Sequence, residues 1–206
     1  MKKDIFLQSS KKSIRGFTLI ELVITVAIFA FMTTFLISKY GTMNQSILLT
    51  NLAYDVALTI RNAQSYGINV KSAPTADANY SENFNRSYGV NFSSLNTGDP
   101  SLRTVFTFFQ ELNPNGVYDG SSERISQYTI KRGSIVSKVC VGNSPSTCEV
   151  VSQTLNITFQ RPNPDAIITS GSNGVLYPYA EIWLQATDGS VKKVVVRSTG
   201  QITITN

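Results

Sequence analysis

Histidine is missing from this 206-residue chain, which removes the usual general base near neutral pH and the commonest neutral metal ligand. Nucleophilic arrangements of the Ser-His-Asp or Cys-His kind are therefore excluded. Cysteine is limited to Cys140 and Cys148, so the repeated close cysteine pairs of zinc modules are not there. No glycine-rich phosphate loop and no internal repeat occurs, and no two acids have a distinctive catalytic spacing. The composition reads as non-enzymatic. Proline is absent from Phe17 to Gly67, which leaves that stretch free to form one uninterrupted helix.

What is present is unevenly distributed. The chain carries 18 basic and 13 acidic residues, net +5, but Lys2, Lys3, Lys11, Lys12 and Arg15 fall in the first 16 residues against a single Asp4. Without that segment the balance is 13 against 12, so a global basic field for binding nucleic acid is not there. The basic segment meets the apolar run FTLIELVITVAIFAFMTTFLI, Phe17 to Ile37. As a helix, this run spans roughly 31 Å, one hydrocarbon thickness. Basic residues beside such a run favour the cytoplasmic side, which predicts residues 1–16 inside and the bulk of the chain outside. The reading is a single pass through the inner membrane with a periplasmic or extracellular C-terminal part.

One carboxylate, Glu21, stands inside the run. At mid-bilayer it would cost on the order of 2.5 to 3.5 kcal/mol and needs a partner or a role. Cleavage after Gly16 would supply one, since the new ammonium on Phe17 would sit one helical turn away, in the same chain or in a neighbour stacked with an axial offset. A Sec signal peptide explains the run less well, because its apolar core is shorter and precedes an A-x-A-like site. A plain signal anchor explains length and orientation but not the acid after a Gly-Phe pair.

The stretch GFTLIELVITVAI resembles the leader junction and amino-terminal helix of type IV pilins and type II secretion pseudopilins. The resemblance implies cleavage by a prepilin peptidase between Gly16 and Phe17, N-methylation of Phe17, and use of Glu21 in assembly. It also implies partners: other pilin or pseudopilin subunits and an inner-membrane assembly platform. It covers only the first part of the chain.

Beyond the membrane run, Leu49, Leu52, Ala53, Val56, Ile60 and Ala63 recur at three- and four-residue steps, which predicts an amphipathic continuation with Gly67 as its stop. The polar stretch from Lys71 to Arg86 reads as a surface loop. Eight strands follow by period-two patterning: Tyr88 to Phe92, Leu102 to Gln110, Ile125 to Lys131, Ile135 to Val141, Thr154 to Gln160, Ala180 to Thr187, Val191 to Arg197 and Gln201 to Thr205. Asp188-Gly189 predicts a two-residue hairpin turn. The expected fold is α+β, a long N-terminal helix, its first half transmembrane, packed on an antiparallel β-rich globular head. The divisions are a leader at 1–16, a membrane and assembly segment at 17–38, an amphipathic continuation at 39–67 and a head at 68–206.

The closing segment AEIWLQATDGSVKKVVVRSTGQITITN and the stretch NLAYDVALTIRNAQSYGI are similar to GspH-type pseudopilins and FimT-type minor pilins. This implies a minor subunit of a pseudopilus or pilus whose head acts in tip assembly or partner contact. The alternative it implies is a minor pilin that captures extracellular DNA through its terminal hairpin. Lys193 and Arg197 share a strand face there, whereas Lys192 points away. A solvated, edge-protecting cluster explains the same residues.

Two further features stand apart. Cys140 and Cys148 enclose VGNSPST between two strands, and outside the cytoplasm this spacing predicts a disulfide across a hairpin mouth; the competing reading, a metal or redox pair, lacks both the spacing and the other ligands in the sequence. In the segment FQELNPNGVYDGSSE, side-chain oxygens of Glu111, Asn113, Asn115, Asp119 and Glu123, with the Val117 carbonyl, fall near the positions of a calcium loop, and Gly116 near its sharp turn. Calcium is the one cofactor this chemistry would suit. An Asn-Pro-Asn-Gly turn with incidental acids is the other reading.

Overall fold

The computed structural model describes residues 16–69, 86–93, 99–151, 154–171 and 174–206, with the side chains of 38–43 excepted. The leader at 1–16 therefore lies outside the described residues except for Gly16, and so does the predicted loop from Lys71 except for Arg86. Two compact units are present, Met1–Gly41 and Thr42–Asn206.

A single α-helix, α1, runs Leu19–Ile68, as a segment free of proline allows. In the first unit, Leu19–Ile37 is long and apolar enough to cross a membrane, and every side chain from Gly16 to Ile37 is exposed. In the second unit, the stripe Leu49, Ala53, Val56, Ala57, Ile60 and Ala63 is buried. The predicted stop at Gly67 falls inside the last helical turn instead. A side chain there would strike the backbone of Phe159, so glycine at 67 serves a close approach and not a helix end.

Ten strands build the head: β1 Tyr88–Phe92, β2 Val105–Gln110, β3 Arg124–Thr129, β4 Ile135–Gly142, β5 Glu149–Val150, β6 Leu155–Phe159, β7 Ala166–Ser170, β8 Tyr179–Gln185, β9 Val191–Arg197 and β10 Ile202–Thr205. They form two antiparallel five-stranded sheets, in the orders β3-β2-β1-β6-β7 and β10-β9-β8-β4-β5. The α+β fold expected from the sequence is the observed one. Alternate residues of most strands, such as Val90, Phe92, Leu155, Ile157 and Phe159 in the first sheet and Ile182, Leu184, Val194 and Val196 in the second, join the α1 stripe in one apolar cluster. Each such side chain contributes roughly 1.5 to 3 kcal/mol by leaving water.

Three local readings are corrected. The predicted strand from Leu102 begins at Val105, because Pro100–Thr104 is a 3-10 turn capped by Asp99, whose Oδ1 accepts from Ser101 N at 2.8 Å. The turn at Asp188-Gly189 is longer than two residues. Ala186 N donates to Ser190 O at 3.0 Å, leaving Thr187 to Gly189 outside the ladder with Gly189 at φ +84°. A three-residue hairpin loop needs that left-handed residue, which is why glycine is there. Strands β5 and β7 are additions that the patterning did not predict.

Candidate functional site

Three regions bring the sequence-predicted residues into view, and they differ in how fully their chemistry is used within the chain. At the start of α1, Thr18 caps the helix: its Oγ1 accepts from Glu21 N at 3.3 Å and its carbonyl accepts from Leu22 N at 3.1 Å. The sequence Thr18-Leu19-Ile20-Glu21 has the spacing of a capping box, so Glu21 stands in the first turn, where the positive end of the helix favours a carboxylate. Thr18 was not singled out from the sequence, although this spacing is the signal that marks it. Phe17 beside it is 78 % exposed. Gly16, Phe17 and Glu21 thus sit together on an exposed helix start whose apolar surface has no partner among the described residues of its own unit.

The 111–123 segment folds over the outer face of the first sheet. Thr169 Oγ1 of β7 donates to Gly116 O at 2.7 Å, Tyr118 N donates to Asn156 Oδ1 of β6 at 3.3 Å, and the Tyr118 and Phe109 rings lie 5.2 Å apart. This cover explains why Asn91 and Asn156, at outward-facing positions, are buried and bonded to each other at 2.6 Å. Within the segment, Glu111 accepts from the Gly116 amide, and Glu123 accepts from Leu112 N and Asp119 N, both at 2.8 Å. Asn115 Oδ1 accepts from Val117 N at 2.9 Å, while the amides of Asn113 and Asn115 donate to Asp119 Oδ2 at 3.2 and 2.9 Å. The structure brings the six predicted calcium ligands into one loop, where oxygens of Glu111, Asn115, Asp119 and Glu123 accept hydrogen bonds from within the loop. Burial raises the Glu111 carboxyl above the ordinary carboxylate value, with neighbouring Glu123 adding to the rise and amide hydrogen bonds opposing it.

The outer face of the second sheet holds the terminal basic residues. Lys193 faces Trp183 across β8 and β9, Trp183 faces Lys138 across β8 and β4, and Arg197 faces Tyr179. Lys138 Nζ lies 3.6 Å and Lys193 Nζ 4.8 Å from the centre of the Trp183 ring, and the Arg197 guanidinium lies 5.6 Å from that of Tyr179. Under them is Glu181, nearly fully buried. Its Oε1 accepts from Tyr179 OH at 2.6 Å and pairs with Lys193 at 3.7 Å, and its Oε2 accepts from Trp183 Nε1 at 2.7 Å. Burial, then the bond to Glu181, pushes the Tyr179 phenol up. Lys192 leaves this face and donates to Asn206 Oδ1 at 2.6 Å. Glu181 and Lys138 were not found from the sequence: Lys138 and Lys193 reach this face from β4 and β9, although Tyr179 and Trp183 flank Glu181 at two-residue steps on β8, the period-two signal that could have marked it.

Cys140 of β4 and Cys148, just before β5, form a disulfide with Cα atoms 5.5 Å apart. It closes a loop containing the 3-10 turn Pro145–Thr147. Cys140 Sγ lies 3.8 Å from Glu181 Oε2, a contact and not a hydrogen bond, since a disulfide sulfur carries no proton.

Residues 11–37 match a family model described as the prokaryotic N-terminal methylation motif. The match covers the junction and the apolar helix and does not extend into the head. It is the motif of type IV pilin-like proteins, which are processed by prepilin peptidase, assemble with other pilin subunits and are structural rather than enzymatic. No curated protein and no solved structure matches the chain.

Proposed function

We propose that this chain is a minor pseudopilin or minor pilin, cleaved after Gly16, methylated on Phe17 and incorporated into a type II secretion pseudopilus or a type IV pilus through its N-terminal helix. The observation that carries this reading is the exposed apolar helix Leu19–Ile37 with one carboxylate in its first turn, inside the matched methylation motif. Glu21 would pair with the Phe17 ammonium of a neighbouring subunit, a contact whose second half exists only after cleavage. Before insertion into a filament the helix is held in the inner membrane, leader inside and head outside. The head part of α1 supports an assembly role, because Ile47, Tyr54 and Leu58 are exposed, at spacings that put them on one side of the helix. The head would act in tip assembly or in contact with a secreted or surface partner.

Mass spectrometry of the chain extracted from membranes of a strain with active prepilin peptidase tests this directly. The expected N-terminus is methylated Phe17. Recovery of the chain with residues 1–16 still attached would overturn the reading.

A second reading, capture of extracellular DNA by the terminal hairpin, has in its favour that Lys138, Lys193 and Arg197 share one sheet face. It has against it that Lys193 is paired with Glu181. DNA binding that weakens with salt and with Lys193→Ala and Arg197→Ala would establish it.

A further inference from the structure

We propose that Cys140, Cys148 and Glu181 form a corner with two closed states: the disulfide, and, after reduction, a thiolate, thiolate and carboxylate site for a divalent zinc-like cation. Among the described residues these three form the one group of cysteine and acidic side chains whose ligand atoms all lie within 4.8 Å of one another. In a tetrahedral zinc site, sulfur at about 2.3 Å and oxygen at about 2.1 Å from the metal are roughly 3.6 Å apart. Cys140 Sγ and Glu181 Oε2 already stand at 3.8 Å.

The carboxylate is built to serve as a fixed ligand. Glu181 is nearly fully buried, and the bonds from Trp183 to Oε2 and from Tyr179 to Oε1 set its orientation, as partners of a ligating carboxylate do. The indole N–H uses one lone pair of Oε2, and a carboxylate oxygen has a second to offer. Cys140 is fixed by its register opposite Glu181 on one side and Val150 on the other. Cys148 directly precedes the two-residue β5, and rotation of its side chain would carry its sulfur from bonding distance to the edge of a tetrahedron. Two sulfur donors select zinc over calcium or magnesium.

The chemistry balances in two steps. A small dithiol or a phosphine reduces the disulfide by two electrons and is itself oxidised, leaving two thiols. Metal binding then releases both thiol protons and forms two metal–sulfur bonds. In either state the Gly142 to Cys148 loop stays pinned to β4, so the cation would hold the loop whenever the disulfide is open.

The test uses the full-length chain in detergent micelles, reduced under nitrogen and titrated with cobalt(II) as the spectroscopic stand-in for zinc. The expected result is one equivalent of cobalt with thiolate-to-metal charge-transfer absorption, displaced by zinc, and none in the oxidised chain. Cys148→Ser should abolish the absorption, and Glu181→Gln should weaken affinity at least tenfold, the lower end for perturbing a metal's close surroundings. Absence of the charge-transfer band in the reduced wild type, its persistence in Cys148→Ser, or equal affinity in Glu181→Gln would each overturn the proposal. Should Glu181→Gln not fold by near-ultraviolet circular dichroism, the Cys148→Ser result decides alone.

Discussion

The two compact units treat apolar surface in opposite ways. In the head, both sheets and one stripe of α1 contribute to a continuous buried cluster, and even outward-facing polar groups such as Asn91, Asn156 and Glu181 have partners within the chain. In Leu19–Ile37 no side chain is buried. The head is therefore complete as a folded object, whereas the helix is complete only in lipid or against other subunits, because exposed apolar surface on this scale marks a membrane or assembly site.

That contrast is tested most strongly by paired truncations. Phe159→Ala, at a fully buried position of β6, is expected to destabilise the head by about 3 to 5 kcal/mol, whereas Phe29→Ala, in the exposed helix, should leave the head's stability in detergent unchanged. Chemical unfolding followed by Trp183 fluorescence measures both. Equal effects of the two substitutions would mean that the units are not energetically distinct.

Next in size is the disulfide. Cys140 and Cys148 are eight positions apart, and for so short a loop the chain-entropy model gives about 2.5 kcal/mol. Reduction without metal should lower the unfolding midpoint accordingly, read from denaturant curves with and without reductant. A similar or smaller loss, about 1 to 3 kcal/mol, is expected for Glu123→Ala, which leaves the Leu112 and Asp119 amides without their acceptor. Calcium titration of that variant and of the wild type, followed by calorimetry, asks in addition whether the loop oxygens bind the ion that its sequence spacing suits.

The smallest effect concerns pH. Burial raises the Glu111 carboxyl above its ordinary value of 4.5, so the folded state favours the protonated form. Its contribution to stability is fully present below 4.5 and is lost as pH rises through the raised folded value. Glu111→Gln removes the titrating group while keeping an oxygen for the Gly116 amide. It should flatten stability against pH across that interval, measured as thermal midpoints from pH 4 to 7. An unchanged pH profile would assign the dependence elsewhere.

How much of this was legible in the sequence followed the range over which each signal acts. The α1 stripe, most strands and the cysteine pair were readable because three- and four-step periodicity, alternation and a short Cys-Cys spacing are local. Strand β7, Ala166–Ser170, was missed because Ala-Ile-Ile-Thr-Ser is short, lacks clean alternation and follows the turn-rich Arg161-Pro162-Asn163-Pro164-Asp165. The 3-10 turn at Pro100 was overridden by the apolar pattern that follows it, although Asp99-Pro100 is a recognisable start. The Glu181 cluster was only partly legible, for a different reason. Tyr179, Glu181 and Trp183 share a face by alternation within β8, but Lys138 and Lys193 join them from β4 and β9, and which residue faces which across strands is fixed by register. In the 111–123 loop the spacing of the acids was legible, whereas the amides that Glu111 and Glu123 accept from are set by the loop's conformation and were not.

The exposed helix start, with Glu21 as its single carboxylate, is the proposed assembly element of this chain. Quantifying the chain in sheared filaments from cells that produce either the wild type or Glu21→Ala tests it most directly, with the membrane fraction as the internal reference. The expected result is wild-type chain in both fractions and Glu21→Ala confined to the membrane with its head folded. Equal incorporation of the two into filaments would contradict the role given to Glu21.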